Sequence, residues 1–469
     1  MVKYNFLLVF VLGALLLGCS TQKAVTSHQE KDIVVSALED SLYGAHLGVM
    51  VFDPLNKKLI TGYNHHKYFV PASNTKLLSL YAGLKYLPDT LLGLQYKDAG
   101  DTVYAYPTGD PTLGMAEFKQ QPVLQWLLQQ KKPVVISVSN WRAERYGRGW
   151  SWSDYQANYQ PERSALPVYG NLMPVQLRSK VKFDSAVNPT SEKQLFTLTM
   201  GPVSGEGLKL KTDGVVFRKS GSNRFRINRD YAGNSFLVEY APKDTVIETE
   251  VPFVTNGIET ALRILRNLPA NGSDSLNITA SESLSDRINF NKAALTSVWS
   301  QPLDSMLKPM MHRSDNFYAE QTLLMASNAF LGYMSDRDMI DTLLKTDLKD
   351  MPDKPVWADG SGLSRYNLFS PADFVWLLDK LKTEFGMNRL QTILPTGNDG
   401  TLRNYYKPLE GKIFAKTGTL SGQVALRGIL YAKSGKMLIF SILVNNHNIE
   451  ATRVRRLVEQ YLLKVWEAN

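Results

Sequence analysis

The chain has 469 residues, 44% of them hydrophobic and 21% charged, with a formal net charge of +9 and a single cysteine. Such a length supplies a sizeable core and two or three domains, while one cysteine excludes internal disulfides. The basic residues are dispersed rather than run together, which argues against a nucleic-acid partner, and no spacing around the one histidine pair, His65-His66, resembles a metal site. No cofactor or metal is expected, and a basic surface suits an anionic wall or lipid headgroups.

In chain order, Lys3 is followed by an apolar run from Phe6 to Leu17. A core of ~7–15 apolar residues after a positive start is a signal peptide, too short to remain as a membrane-spanning helix. The segment Leu16-Leu17-Gly18-Cys19 resembles a bacterial lipobox. Residues 1–18 are therefore the expected signal peptide and Cys19 the expected lipidation site, tethering the protein to a membrane. The competing reading is an ordinary cleaved signal that discards Cys19. Residues 19–31, polar and aperiodic, read as a flexible tether.

An amphipathic helix is predicted near Ile33 to Leu42, then strands over His46–Phe52 and Lys58–Tyr63 joined by a turn at Pro54–Lys57. The spacing of Leu77, Leu80, Tyr81 and Leu84 predicts a helix with one apolar stripe. From Gly214 to Tyr240, polar and apolar residues alternate (Phe225, Ile227; Phe236, Val238), the period of a strand-rich segment. Pro252–Leu268 reads as strand followed by helix. Near the C-terminus come strands around Ile413, over Ala425–Tyr431 and over Met437–Val444, with a turn at Lys433-Ser434-Gly435-Lys436. A last helix spans about Glu450–Trp466.

Three short motifs carry chemistry: Ser73-Asn74-Thr75-Lys76, Ser314-Asp315-Asn316 and Lys416-Thr417-Gly418. A serine hydroxyl is a weak nucleophile until a neighbouring base takes its proton. Three residues along a helix place two side chains on one face, so Lys76 can reach Ser73. Pro71 suits the start of that helix, whose N-terminal N–H groups would favour an oxyanion at Ser73. A lysine base needs a depressed pKa, which burial and a second cation, Lys416, would both supply. Ser-x-x-Lys recurs at Ser20, Ser179 and Ser305, but in a lipobox, a polar basic stretch and an apolar run. Ser314-Asp315-Asn316 and Lys416-Thr417-Gly418 each occur once, downstream of Ser73.

This ordered set resembles the motif set of penicillin-binding proteins and serine β-lactamases. More narrowly, the chain resembles a D-alanyl-D-alanine carboxypeptidase/endopeptidase of the low-molecular-mass class C penicillin-binding proteins. Further matches are Gly109-Asp110-Pro111-Thr112-Leu113, Gly149-Trp150-Ser151-Trp152-Ser153-Asp154, Ser164-Ala165-Leu166, Asp359 to Asn367, and Asp399-Gly400-Thr401-Leu402. The 241-residue separation of Ser73 from Ser314 is the mark of this subfamily, whose large insertion lies there. Tyr106-Pro107-Thr108 before Gly109 and Ser421-Gly422-Gln423 after Leu420 depart from the family pattern.

The resemblance implies an α/β fold: an antiparallel five-stranded sheet flanked by helices, with a β-rich insertion. Residues 32–95 and 286–469 would form the catalytic domain, and 96–285 the insertion, β-rich around 172–250. It implies Ser73 as acyl-ester nucleophile, Lys76 as general base, Ser314 as proton relay, and Asn316 and Lys416 as further catalytic residues. Thr417, Gly418, Thr419, Asp154 and Arg365 would bind substrate, with the Ser73 and Thr419 N–H groups as oxyanion hole. Asp154 could equally be a surface carboxylate, and Arg365 a structural partner within its loop. The expected partners are peptidoglycan stem peptides ending in D-Ala-D-Ala and β-lactams, at the periplasm-facing side of a bacterial envelope membrane. The competing readings are a catalytically silent wall-binding lipoprotein and a β-lactamase of the same fold.

Overall fold

The computed structural model describes residues 33–183, 192–200, 214–219, 225–240, 245–268, 275–281 and 295–469. The expected signal peptide, Cys19 and the tether lie outside the described residues. The central sheet is five-stranded and antiparallel, in the order Ile413–Leu420, Gln423–Tyr431, Met437–Asn445, His46–Asp53, Lys58–Tyr63. The first strands of the chain thus pair with its last. Gly435, at φ +88°, lets the chain reverse between two of them.

Alternate residues of this sheet face different helical layers, as the two-residue period of a strand requires. Ile429 and Ile439 pack with helices Lys76–Tyr86, Leu303–His312, Asn316–Leu331 and Pro371–Phe385. Leu430, Leu438 and Phe440 pack on the opposite face with Ile33–Asp40 and the C-terminal helix Ala451–Ala468. Three helix starts carry the side-chain caps their sequences offer: Asp315, Ser335 and Ser370 each accept from an N–H of the first turn.

The helix after Ser73 departs from expectation. Every residue from Lys76 to Leu84 is buried, so it is enclosed on all sides rather than along one stripe. Its polar members find partners inside: the Ser79 hydroxyl, for example, donates to the Gly360 carbonyl at 2.6 Å. A pattern of apolar spacing cannot report this, because an internal serine or lysine looks like a solvated one until its partners are placed.

A second five-stranded sheet runs Ile278–Ser281, Val134–Ser137, Thr102–Pro107, Thr90–Ala99, Thr296–Pro302. It crosses both insertion boundaries expected from sequence. Residue 95 lies in mid-strand, and Thr296–Pro302, beyond residue 286, pairs with Thr90–Ala99. Only pairing between strands some two hundred residues apart reveals that they belong together. The alternating segment forms strands Gly214–Lys219, Arg226–Arg229 and Ser235–Tyr240 in one small sheet, with Phe236 and Val238 buried. Thr245–Pro252, Leu172–Phe183 and Glu192–Met200 form another, followed by the helix Glu259–Arg266.

Candidate active site

Ser73 sits in a tight turn, Ala72–Thr75, that runs directly into the buried helix Lys76–Tyr86. Ala72 holds a left-handed φ of +51°. The opposing loop presses on it so closely that a Cβ on Gly362 would lie 1.9 Å from the Ala72 carbonyl oxygen. Strain of this kind persists only where the surroundings enforce it. It presents Ser73, which is half-buried, one turn from Lys76.

The Lys76 Nζ lies 3.0 Å from Ser73 Oγ, 2.5 Å from Asn316 Oδ1 and 2.8 Å from the Ser361 carbonyl oxygen. Burial pushes its pKa down to about 8, against the raising fields of Asp359, Asp315 and Glu320. The neutral amine has two hydrogens and one lone pair. In that neutral form the two carbonyl oxygens can take both hydrogens, which leaves the lone pair for Ser73. The geometry is that of a base poised to accept the serine proton.

Lys416, also fully buried, donates to Ser314 Oγ at 2.8 Å and to the Thr417 carbonyl at 2.7 Å. Burial, then Lys76, then Arg427 push its pKa well below the usual lysine range. Ser314 itself has φ +60°, another enforced conformation. Asn316 completes the circle, its Nδ2 donating to the Tyr159 carbonyl at 2.8 Å. Asn74 ties the nucleophile turn to the third motif. In the amide orientation that satisfies its neighbours, it donates to the Lys416 carbonyl (2.7 Å) and accepts from the Gly418 N–H (2.9 Å). A side chain on Gly418 would collide with this amide, since its Cβ would stand 2.4 Å from the amide atom facing it, Oδ1 in this orientation.

The strand Ile413–Leu420 is the edge of the central sheet. Thr396 bridges Phe414 on its outer side, and the Ala415 N–H donates to the Pro395 carbonyl at 3.0 Å. Among the described residues, no strand covers that side beyond Ala415. Thr417 to Thr419 therefore offer an open edge to which an extended peptide can add. The exposed Thr419 hydroxyl accepts from Arg455 Nη2 at 2.9 Å.

The loop Asp359 to Asn367 closes the site from the other side. Buried Asp359 accepts from the Gly362 N–H (2.9 Å), the Ser364 N–H (2.7 Å), Asn367 Nδ2 (2.7 Å) and Trp150 Nε1 (2.9 Å). Arg365 is exposed and donates to the Ser421 carbonyl at 3.0 Å, so it bridges this loop to the turn after the third motif. Asp154 lies in a short turn at Trp152–Asp154 and hydrogen-bonds Tyr159, the residue whose carbonyl holds Asn316.

Sequence reading missed the Ser361 and Tyr159 carbonyls, because backbone acceptors leave no residue signature. It also missed Asn74 and Glu320. Glu320 did leave a trace, an acidic residue one helical turn after Asn316 in a helix with no other charged residue.

A serine held against a buried lysine, a second serine–lysine pair and an open strand edge define a serine acyl-transfer hydrolase of the penicillin-binding type. The chain belongs to the D-Ala-D-Ala carboxypeptidase 3 (S13) family, whose profile matches residues 29–465. It is a serine-type D-alanyl-D-alanine carboxypeptidase. It is 25% identical to the D-alanyl-D-alanine carboxypeptidase DacB of Haemophilus influenzae, over 93% of this chain and 92% of that one. It is also 25% identical to the D-alanyl-D-alanine carboxypeptidase of Actinomadura sp. strain R39, over 93% and 86% of the respective chains. The crystal structure of Haemophilus influenzae penicillin binding protein 4 superposes with a TM-score of 0.70 at 20% identity, covering 92% of this chain and 99% of that one. The same protein complexed with a β-lactam gives 0.67 at 18%, with the same coverage. Neither the silent lipoprotein nor the β-lactamase reading is favoured by this membership.

Proposed function

We propose that Ser73 attacks the carbonyl of the penultimate D-alanine in a peptidoglycan stem peptide. Neutral Lys76 takes the hydroxyl proton while Asn316 and Ser361 hold its two hydrogens. Ser314, oriented by Lys416, relays that proton from Lys76 to the nitrogen of the departing D-alanine, which returns Lys76 to its neutral form. Lys416 and Thr417 grip the terminal carboxylate by charge-assisted bonds, Gly418 admits the peptide close to the strand, and the Ser73 and Thr419 N–H groups meet the oxyanion. Water activated by Lys76 then hydrolyses the ester and frees Ser73. β-Lactams acylate the same oxygen. Asp154 and Arg365 flank the cleft, where they meet the stem-peptide side chain.

The observation that carries this assignment is the 3.0 Å approach of Lys76 Nζ to Ser73 Oγ with both amine hydrogens already engaged. We assign the site of action to the bacterial cell envelope, with Cys19 as lipid anchor on its periplasm-facing side. Among the described residues no helix is long and apolar enough to cross a membrane. The insertion runs from Thr90 to Pro302 in this reading, because those strands complete one sheet. The test is mass spectrometry of purified cross-linked and uncross-linked muropeptides after incubation with the enzyme. Loss of one D-alanine from uncross-linked pentapeptide is expected, and splitting of dimers would add endopeptidase activity. Intact pentapeptide after incubation, alongside a folded protein, would rule the reading out.

A further inference from the structure

Glu320 is fully buried, ionisable, and outside every motif; burial and then Asp359 push its pKa up to about 7 against the pull of Arg163, so it is anionic above that pH, where Lys76 titrates. It lies on the helix Asn316–Leu331, four residues after Asn316 and so on the same face one turn along. Asn316 touches Lys76 directly. Glu320 reaches the base by another route: its Oε1 accepts from the Ser361 N–H at 2.7 Å, and the Ser361 carbonyl accepts from Lys76 Nζ at 2.8 Å. The next peptide N–H, Gly362, is held by Asp359 at 2.9 Å, so the Ser361 residue is clamped at both ends. Gly360 allows the approach, since a Cβ there would come within 2.9 Å of the Ala319 carbonyl oxygen.

Behind Glu320 stands Arg163, 2% exposed, contributed by the inserted region. Its Nη1 donates to Glu320 Oε2 at 3.1 Å and to Asp336 Oδ2 at 2.9 Å. Its remaining donors reach the Glu144 carbonyl, at 3.1 and 2.9 Å, and the Tyr146 carbonyl, at 3.2 Å. A buried ion pair returns little or no net stability against well-packed apolar residues. A network this complete, placed one peptide from the general base, has a different use.

We propose that Glu320, anchored by Arg163, is the positioning residue of the general base: it fixes the Ser361 carbonyl that orients Lys76 and sets the pH at which Lys76 becomes a base. The proposal rests on the reading of Lys76 as that base. The charged groups facing Glu320 are Arg163, Asp336, Asp359 and Lys76, and those facing Lys76 are Asp359, Asp315 and Glu320, with Lys416 and its neighbour Arg427 on the sheet side. The negative charge of Glu320 favours the ammonium form of Lys76 and opposes the effect of burial. Removing that charge, or loosening the carbonyl acceptor, both disfavour the ammonium form. The two effects have the same sign, and each lowers the pH at which the base is available.

The test uses second-order rates of acylation by a fluorescent penicillin across pH, in the wild type, Glu320→Gln, Glu320→Ala and Lys76→Ala. Glu320→Gln keeps an oxygen that can accept from Ser361 but carries no charge. Its acid limb is expected to move to lower pH by on the order of one unit. Glu320→Ala should show the same direction with a plateau reduced roughly tenfold, as the loss of one positioning hydrogen bond implies. An acid limb that stays in place in Glu320→Gln, while Lys76→Ala is inert, would overturn the proposal alone, since a purely structural role changes the plateau and not the limb. Wild-type acylation in Lys76→Ala would overturn the base assignment itself. Where Glu320→Ala does not fold, Glu320→Gln still decides.

Discussion

Lys416 Nζ donates to Ser314 Oγ at 2.8 Å, and neither this lysine nor Lys76 has any exposure to solvent. Two buried lysines in one site each disfavour the charged form of the other. In the proposed mechanism, replacing Lys416 by Ala removes a charge-assisted contact to the substrate carboxylate. The expected cost is on the order of 1.5–3 kcal/mol, or roughly 10- to 150-fold in carboxypeptidase rate. The acid limb of the acylation profile should also shift. Without its like-charged neighbour Lys76 holds its proton more tightly, so the base form appears only at higher pH. Steady-state rates and a pH series on Lys416→Ala check both effects.

Ser73→Ala should abolish labelling by fluorescent penicillin while leaving the fold intact. Removing one hydroxyl at a half-buried position changes packing little. Gel fluorescence beside a thermal melt separates loss of the nucleophile from loss of structure. Persistent labelling would move the acyl site elsewhere.

Lys76 also leaves a mark on stability. Its pKa falls from 10.5 in the unfolded chain to about 8 in the folded one, so between those values the unfolded state binds the extra proton. Stability must then rise with pH across that window. The rise attributable to Lys76 is at most about 3 kcal/mol, at 1.36 kcal/mol per pKa unit. Denaturant melts from pH 8 to 10.5 should show the gain in the wild type and a smaller one in Lys76→Met.

Gly362→Ala should be among the most damaging single-methyl additions in the protein. The glycine has φ +84°, and the new Cβ would meet the Ala72 carbonyl at 1.9 Å. Strain and overpacking together should cost about 3 kcal/mol or more. Because Ala72 immediately precedes Ser73, penicillin acylation should drop even in the fraction that remains folded. Thermal melts with a labelling time course measure the two losses separately.

Growth with labelled palmitate should tag the wild-type chain, and Cys19→Ala should release it from membranes. An untagged wild type recovered wholly in the soluble fraction would leave Cys19 without its assigned role.

The spacing of Ser73 and Lys76, one helical turn apart, was legible in the sequence because local geometry sets it. So were the strands His46–Asp53, Lys58–Tyr63 and Met437–Asn445, whose alternation or apolar runs match their burial. The pairing of Thr296–Pro302 with Thr90–Ala99 was not legible, since it joins strands far apart in the chain. Nor was the enclosure of the helix from Lys76 to Leu84.

By itself the sequence determined which side chains were candidates for the chemistry and that a helical turn would join Ser73 to Lys76, because reactivity and local periodicity belong to residue type and spacing. Tertiary structure alone decided the protonation and aim of the base. Those depend on long-range neighbours: the Ser361 carbonyl, Asn316, the Glu320–Arg163 pair and Lys416. Burial lowers the pKa of an ordinary lysine to about 8, against the raising fields of Asp359, Asp315 and Glu320, and the Asn316 and Ser361 oxygens hold its amine 3.0 Å from Ser73.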